Sequence, residues 1–193
     1  MTDIDIDDLL EELPTLSGVA AFIAVVNNMH WFRTLGETPS DNDRRLAEAY
    51  GPALGFPEAE PAFLFDWEDA AAAAESNDIN SPSWEAEEQL RAALTDDLLA
   101  VLDEDTFEMV LTHINESTIP AIEAAAEDAA DYLRIDDGEF VRAATGAAVQ
   151  AVHQAALVML TGADDDHPFA LRFRLFERGR WPIGVTGASF LIY

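Results

Sequence analysis

Three patterns predict a mostly α fold, an α+β domain in which a multi-helix, bundle-like body carries a small C-terminal antiparallel β-meander. Apolar residues recur every three to four positions through most of residues 16–162, and capping residues and prolines divide that stretch into helices. After His167 the apolar period drops to two. A chain of 193 residues is long enough for one core that hides about 70% of the unfolded surface. The expected organisation is therefore one domain, 1–193, with a helical body at 1–162 and the meander at 167–193.

Ile6, Leu9, Leu10 and Leu13 sit at helical spacing in the acidic segment Asp3–Leu13, which reads as a short first helix. After Pro14, the stretch Leu16–Leu35 is apolar so far around its axis that it reads as a buried central helix. Ser40 or Asp41 can cap a helix reaching Tyr50. The following Gly51–Pro61 holds three prolines and two glycines, the composition of a loop. Asp66 suits the N-cap of the alanine-rich Trp67–Glu75, and the polar Ser76–Ser81 ends that helix. Ser81 and Pro82 then open a helix with Leu90, Leu94, Leu98, Val101 and Leu102 on one side.

Asp105 and Glu108 have capping-box spacing ahead of Phe107, Val110, Leu111 and Ile114, and Pro120 predicts a kink or restart. Asp136 and Glu139 repeat that spacing before a long helix ending at Gly162. Its Ala143–Ala148 segment is small enough to let another helix approach closely, so this helix and the one from Leu16 are expected at the centre. In the tail, Leu171, Phe173 and Leu175 alternate with Arg172 and Arg174, the pattern of a strand with one buried face. Trp181, Ile183 and Val185 suit a second strand, and Ser189–Tyr193 a third.

The chain contains no lysine; ten arginines face 38 aspartates and glutamates, for a net charge of −28. In this it resembles haloadapted proteins as a class. Molar salt shortens the screening length to about 3 Å and removes most of the self-repulsion, so a salt-rich cytoplasm is the expected setting. Hydrophobic residues make up 49% of the chain and its mean hydropathy is near zero, enough apolar side chain to bury a core despite the charge. There is no cysteine, hence no disulfide or thiolate chemistry. The acidic start lacks the pattern of a secretory signal, and the apolar run Val19–Val26 is shorter than the roughly 20 residues of a membrane span. So much negative charge repels phosphates and anionic lipids, so neither nucleic acid nor membrane is an expected partner.

Residues 167–193 are electrically different, with four arginines and one glutamate for a net +3. Arg172, Arg174, Arg178 and Arg180 can pair with carboxylates of the body or of a second subunit, or present guanidinium forks to a carboxylate or phosphate. On the long helix, Arg142, Gly146 and His153 lie on one stripe with Gln150 beside it, inside an otherwise apolar sequence. Asn27 and His30 form a similar polar pair. His30, His113 and His153 fall on separate predicted helices, His113 and Glu116 share a face in one isolated copy, and Asp164–His167 lacks the spacing of a calcium loop. No cofactor and no metal are therefore expected, and nucleotide-binding and serine-nucleophile motifs are absent.

The expected function is a noncatalytic interaction or assembly protein that uses the arginine-bearing meander to meet a protein partner or a second copy. The alternative is a small-molecule or metal-dependent enzyme with a pocket between the two central helices, lined by Asn27, His30, Arg142, Gln150 and His153. The charge reading makes one direct prediction. The urea midpoint of unfolding should rise from dilute buffer to molar KCl, and equal midpoints in both would contradict it.

Overall fold

The computed structural model describes residues 13–76 and 81–193. The helix expected at Asp3–Leu13 falls almost wholly outside them, as does most of the break at Ser76–Ser81. Helix α1 spans Val19–Asn27, α2 Asp41–Leu54, α3 Trp67–Glu75, α4 Pro82–Leu99, α5 Glu104–Leu133, α6 Gly138–Thr161 and α7 Pro168–Glu177. Strands β1 (Glu60–Phe63), β2 (Pro182–Thr186) and β3 (Ser189–Ile192) form one small sheet in the order β1-β3-β2. The protein is mostly α with a small β part, as its periodicity predicts.

Side chains start most of the helices. Ser40 and Asp43 form a reciprocal capping box on α2, while Asp66, Ser81 and Asp103 each accept from the amide three residues on. Two caps differ from the predicted boxes: α5 starts on Asp103 with Thr106, and α6 on Asp137 with Glu139. Pro120 does not interrupt α5, which continues through it for 30 residues. Beside it, Asn27 Nδ2 donates to the Ser117 carbonyl at 3.1 Å.

Helix α6 is the centre of the fold, with Ala144, Ala148, Ala151, Ala155 and Ala156 all buried. Small side chains let α5, α4 and α7 approach it closely. By length and composition α6 could cross a bilayer, but 56% of its most apolar window is buried inside the protein. The N-terminal expectation is corrected. In place of one buried helix over Leu16–Leu35 there is a 3-10 turn at Pro14–Leu16, the nine-residue α1, and turns through Gly36. Only Val19 and Val26 of α1 are buried, and Ala20, Ala21, Ala24 and Val25 are exposed. Asn28 Nδ2 caps the Ala24 carbonyl at 2.7 Å and ends the helix.

The tail departs most from expectation. Leu171, Phe173 and Leu175 lie on a helix, α7, which His167 Nδ1 caps by accepting from the Phe169 amide at 3.2 Å, with Pro168 at its first position. The two-residue alternation came from two helical stripes read as one. Phe169, Phe173 and Phe176 join the main core, whereas Leu171 and Leu175 join a smaller cluster with Tyr50, Val185, Phe190 and Ile192. A helix buried on both sides imitates a strand whenever its stripes interleave.

The third strand comes from elsewhere. α2 runs through Pro52 to Leu54, and Glu60–Phe63, within and just after the expected loop, pairs in parallel with β3, making the sheet mixed. Pro61 is tolerated because β1 is an edge strand. β2 and β3 form the expected hairpin, turning at Gly187 with φ +60°. Its register shifts between Pro182 and Gly184, a bulge at Ile183.

Gly179 holds the C-terminal crossing. Its φ is +78°, and a Cβ there would lie 2.9 Å from the Thr34 amide nitrogen and 3.0 Å from that of Arg33, both backbone atoms. At Gly187, also left-handed, a Cβ would meet nothing within 4 Å. Gly187→Ala should therefore cost only the ~1–2 kcal/mol of a left-handed L-residue, and Gly179→Ala clearly more, read as the difference between their urea unfolding free energies.

Candidate anion-binding cleft

Two polar assemblies, around Asp43 and Glu87, hold three of the four C-terminal arginines, and they correct the expected arginine-bearing sheet: none of the four lies on a strand. Arg178 and Arg180 converge on Asp43, the buried third residue of the α2 capping box. Arg178 Nη2 also donates to Ser40 Oγ at 3.0 Å. Arg180 Nη1 donates to the carbonyls of Thr34 (2.5 Å) and Glu37 (2.8 Å), and its Nη2 to Thr38 (3.2 Å). Burial pushes the Asp43 carboxyl up, but the hydrogen bonds from Arg178 and Ser40 outweigh it and hold the group below its ordinary value. Arg174, on the outer side of α7, contacts the exposed Asp165 at 3.2 Å.

The second assembly joins α2, α4 and α7. Glu87 Oε1 accepts from the Tyr50 hydroxyl and Oε2 from Arg172 Nη1, both at 2.8 Å. The side chains of Arg172 and Glu87 are only 7% and 13% exposed. Burial, and after it the Glu87 charge, pushes the Tyr50 hydroxyl well above its ordinary value, so it stays a donor. Burial opposes the charge on Arg172, and Glu87 with Tyr50 overcomes it, raising the guanidinium above its ordinary value. Arg172 Nε is buried with no hydrogen-bond partner among the described residues, an expensive condition for a cationic donor.

Arg172 borders a cleft of about 390 Å³. α6 contributes Arg142, Ala143, Gly146, Ala147 and Gln150; α4 contributes Ser83, Trp84 and Glu87; the bulged start of β2 contributes Ile183, Gly184 and Val185. Ser83 Oγ donates to the Val185 carbonyl at 2.9 Å, tying α4 to β2. Trp181 closes another side, stacked on Trp67 at 5.8 Å and 24°. Gly146 is an exposed mid-helix glycine where a Cβ would meet nothing within 4 Å. Glycine there costs about 1 kcal/mol relative to alanine, and packing does not require it.

Of the predicted site residues, Arg142 and Gln150 therefore meet Arg172 at one cleft, with Gly146 on its floor. The other predicted members lie apart from it. His30 is exposed and borders a different cleft of about 510 Å³ with Arg33, Asp128 and Tyr132. Asn27 serves the backbone of α5. His153 is half-buried, and burial, with the Arg91 charge second, lowers its pKa. The expected pocket between α1 and α6 is thus replaced by one on the α4 and α7 side of α6. Glu87, Trp84, Ser83 and Trp181 were not foreseen: Glu87 is one of 38 acids, and nothing local marks it.

Among the described residues no group of three or more His, Cys, Asp or Glu side chains could hold a metal ion. No family model, no curated protein and no solved structure matches the chain.

Asp43 generates a pH prediction. Because its folded pKa is depressed, its contribution to stability is present above the unfolded value near pH 4 and is lost as pH falls through the lower folded value. The stability gap between wild type and Asp43→Asn should be about 3–5 kcal/mol near neutrality and should narrow below about pH 4. Urea unfolding of both proteins across that range measures it.

Proposed function

We propose that the chain binds a small anionic molecule in the cleft between α4, α6, α7 and β2, with Arg172 and Arg142 as its anion contacts. The observation that carries this reading is Arg172: a buried guanidinium beside a cleft, one side bonded to Glu87 and its Nε–H unsatisfied. Nε is closed off from solvent, so a carboxylate or phosphate oxygen would supply the missing acceptor once the side chains around the cleft shift, in a water-poor setting where a charge-assisted bond is strong. The β-bulge at Ile183 and the space above Gly146 support the same reading, since bulges re-aim residues beside sites and the glycine keeps the floor open.

Binding is favoured over catalysis by what lines the cleft. Its charged residues are Glu87, Arg142 and Arg172, and Glu87 is already engaged by Tyr50 and Arg172. That leaves no carboxylate or histidine there to act as a general base. The assembly reading relied on an outward-facing arginine surface, and Arg172, Arg178 and Arg180 instead make their bonds within the chain.

A ligand that binds only the folded state raises its stability by about 2.7 kcal/mol at a hundred times its dissociation constant. In molar KCl, a panel of small carboxylates and phosphates should therefore include at least one class that raises the unfolding temperature with concentration. Gly146→Leu, which fills the floor from an exposed helix position, should fold normally and lose that response. A panel in which no anion shifts the wild-type transition overturns the proposal.

A further inference from the structure

The inference here rests on the cleft being an anion site, and it names the class of anion. The charged residues bordering the cleft are two arginines and one glutamate, so the cleft carries one net positive charge within a chain of net charge −28. Arg142 adds little competition of its own: its contact with Glu139 is 3.8 Å long and both side chains are about three-quarters exposed. A single negative charge is balanced there. A phosphate monoester, close to dianionic at neutral pH, would leave an excess charge facing a molecule that already repels anions.

The rest of the lining joins apolar side chains to the polar Ser83 and Gln150. Trp84, Trp181, Ile183 and Val185 supply aromatic and branched surface, and Ala143, Gly146 and Ala147 form a shelf of small residues along α6. Trp84 is 44% exposed, large apolar surface left open at the cleft. Arg172 adds the charge: it borders the cleft with Nη1 bonded to Glu87. Its Nε, closed off from solvent, has no hydrogen-bond partner among the described residues, so a carboxylate would reach Nε only as the side chains around it shift.

We infer that the ligand is a monocarboxylate with a flat apolar body, its carboxylate held by Arg172 and Arg142 and its body laid on the Ala143–Gly146–Ala147 shelf beside Trp84. Gly146 is then a specificity position, because a methyl group there shortens the space above the shelf without touching the rest of the protein.

The test is isothermal titration calorimetry in molar KCl with 3-phenylpropionate, 3-phenylpropionamide, phenyl phosphate and inorganic phosphate. The carboxylate should bind about tenfold or more tighter than each of the other three, the discrimination of one charge-assisted hydrogen bond. Arg142→Gln should weaken the carboxylate by a similar factor. Gly146→Ala should raise the unfolding midpoint, as alanine does in a helix, while weakening carboxylate binding several-fold. Either phosphate binding as tightly as the carboxylate would overturn the monocarboxylate assignment and leave the anion site standing. Unchanged affinity in Gly146→Ala would overturn the placement of the body. Equal binding of the amide, or no binding by any of the four, would overturn both the inference and the anion site.

Discussion

The chain Tyr50–Glu87–Arg172 is the constraint on which the sheet, the tail helix and the cleft all depend. Each member comes from a different helix, α2, α4 and α7, and taking the two charges out of water costs several kcal/mol per ion unless geometry and added hydrogen bonds restore it. Both oxygens of Glu87 are used, one on a hydroxyl and one on a guanidinium. Tyr50 also stacks on Phe190 of β3, with ring centroids 4.3 Å apart and planes at 21°. The polar chain thereby sets where the sheet lies against α2, and where Arg172 stands relative to Trp84 and Gly146.

Asp43 plays a parallel part at the other end of α7. It caps α2, receives Arg178 and Arg180, and through Arg180 gathers the carbonyls of Thr34, Glu37 and Thr38. Arg180 also approaches the Phe63 ring of β1 at 5.9 Å. These arginines answer the charge asymmetry of the sequence from inside the molecule. Three of the four tail arginines dock on Asp43 and Glu87 of the body, while Arg174 meets the exposed Asp165. One carboxylate for each arginine, with Asp43 shared by Arg178 and Arg180, rather than a sheet face, defines the C-terminal region.

Much of the helical architecture was legible because its signals are local. Ser40, Asp66 and Ser81 cap the helices they were expected to cap, Pro82 sits at the first position of α4, and the alanine run of α6 marks the central helix. The errors came where a local pattern has two physical sources. Leu171, Phe173 and Leu175 alternate both in a strand and in a helix whose two stripes face different clusters, and only tertiary packing distinguishes them. Glu60–Phe63 becomes a strand because β3 offers it an edge, information that lies about 130 residues away in the chain. α1 is apolar enough for a core, yet α6 occupies that place.

The candidate site was half legible for the same reason. Arg142, Gly146, Gln150 and Arg172 stood out as polar or small residues in apolar surroundings, but nothing in sequence tells which of many acids is buried, so Glu87 was silent. The account is tested most directly by a double-mutant cycle on that pair, with Glu87→Met, Arg172→Met and the double variant unfolded by urea in molar KCl. Each single substitution should cost about 3–5 kcal/mol by stranding a buried partner, and the double should cost at least about 2 kcal/mol less than their sum. Additive costs would mean that the two charges do not hold each other in the folded protein, contradicting the arrangement from which the cleft derives.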